Sequence, residues 1–167
     1  MLIRAEEHSD LDAVHAVNVA AFESSSEADL VDALRQQAEL LVSLVAEEDG
    51  EVIGHVIFSP ASLSGNSDLS LMGLGPMAVL PAHQRQGVGT ALVRAGLDQC
   101  RQLGVSAVVV IGHPEYYPRF GFSPASRFGL CSDFDVPDEV FMALELRPKA
   151  LQGRNGQVRY HHLFSNA

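Results

Sequence analysis

The sequence predicts a single α/β domain, a mixed sheet with helices packed on it, and three observations carry that expectation. The chain has 167 residues, 47% of them hydrophobic, which suffices for one core. Its apolar spacing is helical over residues 9–34 and turns β-like over 41–59, around Asp49-Gly50, a dipeptide suited to a tight hairpin. A strand–helix–strand unit then follows over residues 69–112. Antiparallel runs ahead of such a unit disfavour a purely parallel, doubly wound sheet.

Each element has a local reason. Leu2 to Ala5 reads as a short first strand. Ser9 is expected to cap the first helix, with Asp12 completing a capping-box-like pair, and Leu11, Val14, Val17 and Ala21 recur at helical spacing. A second helix is expected from near Ser26, with Leu30, Val31 and Leu34 inward. ASLSGNSDLS is a polar connection, and LSLMGLGPMAV is an apolar run broken by Gly73, Gly75 and Pro76. Proline in a central strand removes a ladder donor, so Pro76 marks a bulge or a splayed edge. A long helix is expected from near Gln86 to Leu103, with Val88, Ala91, Leu92, Ala95, Cys100 and Leu103 on one face and Gly104 just past its end. VSAVVVIG is a buried strand, HPEYYPRFGFSP a segment with a short helix, and VFMALEL the last strand. Gly153 to Phe164 is expected to form a small hairpin at Asn155-Gly156.

Charge narrows the partners. A net charge of −10 argues against a general nucleic-acid binder, and no apolar run approaches a membrane span. Two cysteines without metal-site spacing, Cys100 and Cys131, point to a reducing, cytoplasmic setting. The charge is uneven: residues 1–82 hold fourteen acids against two arginines, whereas 83–130 hold five arginines against two acids. The basic block contains HQRQGVGTAL, with two glycines where a helix should begin. A helix start offers unpaired N–H groups and the positive end of the macrodipole, and glycine lets an anion reach them. Gly87 and Gly89 are therefore placed to cradle a phosphate or pyrophosphate, with Arg85 adding charge. The dinucleotide fingerprint fails because Leu92 stands at its third glycine. The triphosphate loop fails because Lys149 is the only lysine. Gln84-Arg85-Gln86-Gly87-Val88-Gly89 instead fits Gln/Arg-x-x-Gly-x-Gly/Ala between a bulged strand and a long helix.

On those residues the chain resembles the GNAT superfamily of acetyl-CoA-dependent N-acetyltransferases. The likeness spans LGPMAVLPAHQRQGVGTALV and continues into YPRFGF, which is similar to the family's Tyr-x-Lys/Arg-x-Gly-Phe segment. LGPMAV and GHPEYYPRFGF resemble in particular its YhbS-like branch. The resemblance implies a mixed, largely antiparallel sheet with a bulged, splayed central strand and helices on both faces. It also implies one N-acetyltransferase domain over residues 1–167, with a core to about 146 and a C-terminal extension over 147–167. Acetyl-CoA would be the cosubstrate, an amine-bearing molecule the acceptor. The backbone of Met77, Ala78 and Val79 would pair with the pantetheine arm. The stretch Gln84, Arg85, Gln86, Gly87, Val88, Gly89 and Thr90 would hold the pyrophosphate.

The chemistry has two proton problems. An amine of pKa about 10.4 must lose a proton, at about 4–5 kcal/mol at neutral pH, and coenzyme A leaves as a thiolate. By the resemblance Tyr117 is the general acid; Tyr116 reads as a half-buried aromatic. Many family members carry a glutamate on the bulged strand where this chain has Gly75. The base candidates are therefore Glu27, His113, Glu115, His55 or ordered water. Asp10, Glu23, Glu27, Asp29 and Asp32 could form an acidic wall that favours a cationic amine, or simply a solvated face. Adjacent His161 and His162 lack a partner at ligand spacing, so no metal is expected. A non-catalytic acyl-CoA-binding sensor on the same fold is the rival reading. Monomer and homodimer are both open.

Overall fold

Asp49 and Gly50 both take positive φ, 53° and 79°, the backbone of a two-residue hairpin loop. They join β2 (Val42–Glu48) to β3 (Glu51–Leu63) in the computed structural model, which describes residues 1–166. β3 runs on through Ala61, Ser62 and Leu63, so the polar connection expected there is shorter. β1 (Leu2–Ala5) pairs antiparallel with β2, and β4 (Leu71–Val79) with β3.

The first helix starts later than Ser9. A 3₁₀ turn, His8–Asp10, precedes α1 (Leu11–Phe22), and the Glu7 N–H donates to the Asp10 carboxylate at 2.7 Å. Asp10 is held there by Arg4, whose two terminal nitrogens donate to it at 2.7 and 2.9 Å. That pairing keeps its carboxyl below the usual range. The cap is therefore built on Asp10 rather than on Ser9 and Asp12. α2 (Ser26–Gln37) begins where expected and buries Leu30, Val31 and Leu34.

α3 (Val88–Gln102) starts two residues after Gln86, because Gly87 at φ 85° is left-handed and cannot join the helix. Gly104, at φ 82°, ends it as expected. The buried face is Val88, Leu92, Val93, Gly96, Leu97 and Cys100; Ala91 and Ala95 are half-buried and Leu103 is exposed. Gly96 has a packing reason: a Cβ there would lie 2.2 Å from the Phe58 ring.

α3 packs on one sheet face, over Leu44, Ala46, Val56 and Phe58, while α1 and α2 pack on the other, over Val45 and Ile57. Alternation along β2 and β3 produces both surfaces. The remaining main strands are β5 (Ala107–Ile111), β6 (Ser123–Pro124) and β8 (Phe141–Glu145), and the spatial order is β1-β2-β3-β4-β5-β8-β6. Only the β4–β5 neighbours in that series are parallel. The sheet is mixed and mostly antiparallel, with helices on both faces.

Two irregularities shape the centre. Val56 pairs with Met77 but Phe58 pairs with Leu74, so one β3 residue faces two on β4, Gly75 and Pro76. β4 pairs with β5 only through Leu71, Met72 and Gly73, although it continues to Val79. The sheet splays beyond that point. The expected hairpin at Asn155-Gly156 does not form. Instead β9 (Gly156–Arg159) pairs antiparallel with the end of β3 and parallel with β7 (Leu130–Ser132). The tail returns to the sheet, which seats Tyr160 beside β4 and the following 3₁₀ turn, His162–Asn166, against α2. Among the described residues no helix is long and apolar enough to cross a membrane.

Candidate active site

Past the splay, one edge of Met77–Val79 faces a cleft instead of β5. The loop after β4 bends back toward α3, with Arg85 at φ 63° and Gly87 at φ 85°. The Gln84 side-chain amide donates to the Val79 carbonyl at 3.0 Å and ties the loop to the strand end. The first bond of α3 is Ala91 N–H to the Gly87 carbonyl, 3.0 Å. The N–H groups of Val88, Gly89 and Thr90 precede it and have no intrahelical acceptor. No heavy atom lies within 4 Å of where a Gly87 Cβ would stand. The turn is open.

These residues wall a chamber of about 870 Å³. Of the residues assigned to the coenzyme by the resemblance, Met77, Val79, Gln84, Arg85, Gly87, Val88, Gly89 and Thr90 line it, while Ala78 and Gln86 do not. Ala78 is buried under α1 and α2 on the opposite sheet face, so only its main chain can serve the cleft. The Gln86 amide turns to the Ala82 carbonyl at 3.4 Å. His83, Glu115, Tyr116 and Arg119 also line it. The Tyr116 hydroxyl shares a 3.0 Å hydrogen bond with Thr90, and the Arg119 guanidinium lies 4.2 Å over the Tyr116 ring. Tyr116 is half-buried as expected, and it also borders the cleft. In the sequence Arg119 stands in the basic block and at the Lys/Arg position of YPRFGF.

Tyr117 opens a 3₁₀ turn, Tyr117–Phe120, that folds back under the end of β5. The His113 carbonyl accepts from the N–H of Tyr116 at 3.1 Å and of Tyr117 at 3.4 Å. The Tyr117 ring meets Tyr116 and Phe122 edge-on, at 5.0 and 5.8 Å between centroids. It also lies on Gly112, where a Cβ would come within 2.3 Å of it. Glycine is required there by close approach. Only 8% exposed, the phenol is pushed up to about 12 by burial, with its Tyr116 neighbour adding.

A second chamber of about 500 Å³ lies on the other side of Tyr117. Met77, His113 and Tyr117 line both chambers. Of the proposed bases, Glu27 and His113 line this second space, and Glu115 lines only the first. His55 borders neither; it is fully buried, with Ser43 Oγ 2.8 Å from its Nε2 and the Asn18 amide 3.4 Å from its Nδ1. Gly75 lines the second chamber at φ 127°, a backbone that disfavours a glutamate at this point of the strand.

The acidic wall is reduced to one residue. Glu27 lines the chamber, whereas Asp10 serves Arg4 and Asp32 serves Arg35 and His15 at 2.9 and 2.8 Å. His15, Asp29 and Asp32 bring ligand-type atoms within 4.8 Å of one another, and these contacts read as a surface ion network. The stacked His161 and His162 rings, 4.3 Å apart, lie outside both chambers. Sequence reasoning missed Phe22, Phe134, Tyr160 and Phe164 as lining residues. The Tyr160 ring stands on Gly73, where a Cβ would be 2.6 Å away, a reason for that glycine invisible in the sequence.

A sheet that opens onto a glycine-led helix start, with a buried phenol between two chambers, belongs to the acyltransferases that draw their acyl group from coenzyme A. The chain belongs to the acetyltransferase (GNAT) family, whose model matches residues 11–122. It is 40% identical over 166 residues, 99% of each chain, to the uncharacterized N-acetyltransferase YhbS of Escherichia coli K12. The crystal structure of the Escherichia coli YhbS protein in complex with CoA superposes with a TM-score of 0.93 at 39% identity, covering 98% of this chain and 91% of that one. A GNAT family acetyltransferase from Brucella melitensis in complex with acetyl-CoA gives 0.81 at 38% identity, covering 98% and 97%.

Proposed function

We propose that the protein transfers the acetyl group of acetyl-CoA directly to a primary amine within a ternary complex. One observation carries this reading: the wall shared by the two chambers, Met77, His113 and Tyr117, is where a thioester in the first would meet an amine in the second. The free edge of Met77–Val79 suits the pantetheine arm as an added strand. The Arg85–Thr90 turn suits the diphosphate, with main-chain N–H groups and the Arg85 charge.

The acceptor enters as an ammonium, drawn by Glu27. His113, on the shared wall, takes its proton. The amine nitrogen then attacks the thioester carbon; the C–N bond forms, the C–S bond breaks to leave a thiolate, and the second proton of the nitrogen passes through solvent to that sulfur. Tyr117 donates a hydrogen bond to that sulfur. Full proton transfer from a phenol near 12 to a thiolate near 8.5 is uphill by about 5 kcal/mol, so the hydrogen bond acts before the proton moves. A reducing, cytoplasmic setting suits the two free thiols, Cys100 and Cys131.

The test is thiol release from acetyl-CoA across a panel of amines, with wild type and Tyr117→Phe. Acceptor-dependent release that falls sharply in the variant is the expected result. Saturable acetyl-CoA binding without release for any amine would instead favour an acyl-CoA sensor.

A further inference from the structure

We propose that the second chamber takes a monocationic amine carried on an apolar, ring-sized body, an arylalkylamine or branched alkylamine; this rests on the acetyl-transfer reading above. The walls point to that body. Phe22 of α1, Leu30 of α2, Ile111 of β5, and Phe134, Tyr160 and Phe164 from the last third of the chain converge on one space of about 500 Å³. That volume is in the range of small-ligand sites. Tyr160 holds the aromatic group together, 5.7 Å from the Phe134 centroid and 5.4 Å from that of Phe164.

The mouth is unusual for this surface. Six large apolar side chains stand exposed among the described residues, and two of them, Phe22 at 39% and Ile111 at 37%, line this chamber. An apolar occupant would cover both. Charge complementarity selects its polar end. Among the described residues Glu27 is the only carboxylate in the lining, matching one ammonium. A polyamine or an aminoglycoside would bring further cations against phenyl rings with no partner for them. Phe134, Tyr160 and Phe164 also lie beyond residue 122, where the family match ends. Part of the wall facing the acceptor is thus supplied by residues outside the matched segment.

The experiment compares initial rates of thiol release from acetyl-CoA with 2-phenylethylamine, isoamylamine, ethanolamine, spermidine and Nα-acetyl-lysinamide. The expected kcat/KM for 2-phenylethylamine exceeds that for ethanolamine by about thirtyfold or more, the worth of burying one ring. Phe22→Ser, at an exposed position, should shrink that ratio to about threefold, with acetyl-CoA binding retained by calorimetry. Phe134→Ser should act in the same direction. Titration of 2-phenylethylamine into the coenzyme A complex gives a readout independent of turnover. Saturable binding that Phe22→Ser weakens, without transfer to any amine, would support the chamber assignment and overturn the transfer reading. Transfer that ranks spermidine or Nα-acetyl-lysinamide first, or shows no ranking, would overturn the chamber assignment alone. Octanoyl-CoA outpacing acetyl-CoA with ethanolamine would overturn it too, giving the apolar space to the acyl chain.

Discussion

The first chamber is walled largely by one stretch of chain, Met77 to Thr90, and much of what it offers is main chain: a free strand edge and helix-start N–H groups. The second is walled by side chains from α1, α2, β4, β5 and the residues after 130. Main-chain donors depend on side chains only through the φ angles and clearances that glycine permits, so the first chamber tolerates change at most positions but not at Gly87. A side-chain wall changes with every substitution. On the proposed reading the cosubstrate side is therefore constrained by backbone shape, the acceptor side by composition, and Tyr117 stands on the boundary.

The contrast can be broken first at that boundary. Tyr117→Phe should lower kcat by about 10²–10³, typical of one proton-transfer group, while acetyl-CoA binding by calorimetry changes little. A fall in binding as large as the fall in turnover would return Tyr117 to the first chamber's wall. In wild type, a phenol near 12 should give no alkaline limb in kcat below about pH 10.

His55 supplies a control that belongs to neither chamber. Burial, with the Arg35 charge adding, holds its imidazole down to about 3. An unfolded chain takes up that proton near 6.5 and the folded chain does not, so its contribution is complete above about pH 6.5 and declines as pH falls toward 3. About 2 kcal/mol of stability should be lost between pH 8 and pH 5, read by urea unfolding, with a flatter profile in His55→Gln. Asp10, held low by Arg4, weakens only at more acidic pH and does not mask this window.

Gly87→Ala places a side chain at φ 85° and should cost about 1–2 kcal/mol, weakening acetyl-CoA binding about tenfold without altering the ranking of amines. A changed ranking would mean that the two chambers are not separable. The smallest effect is expected for Glu27→Gln: acceptor KM should rise about fivefold to tenfold, the scale of one charge-assisted contact, with kcat nearly kept. A loss in kcat instead would make Glu27 the base and leave His113 a wall residue.

The legible parts of the molecule are those whose cause is local. Asp49-Gly50, the start of α2 at Ser26 and the turn at Gly87 each follow from what one or two residues permit at a backbone angle. Errors arose where a distant partner decided. Arg4 recruits Asp10 and moves the first cap; the ends of β3 and β7 capture Gly156–Arg159 and pre-empt a hairpin. The base candidates divided for the same reason. His55, Glu115, Glu27 and His113 look alike as titratable residues, yet one is sealed beneath a helix, one faces the first chamber and two reach the second.

By itself, then, the order of residues determined the fold class, the bulge at Pro76 and the glycine-led turn before α3, because helix starts, strand edges and left-handed turns are written in neighbouring positions. Which carboxylate lines the second chamber, why Gly73 and Gly112 carry no side chain, and how Phe134, Tyr160 and Phe164 come to stand beside Phe22 were decided only in three dimensions. Those contacts join segments far apart in the chain, and their identity depends on packing that no local pattern encodes.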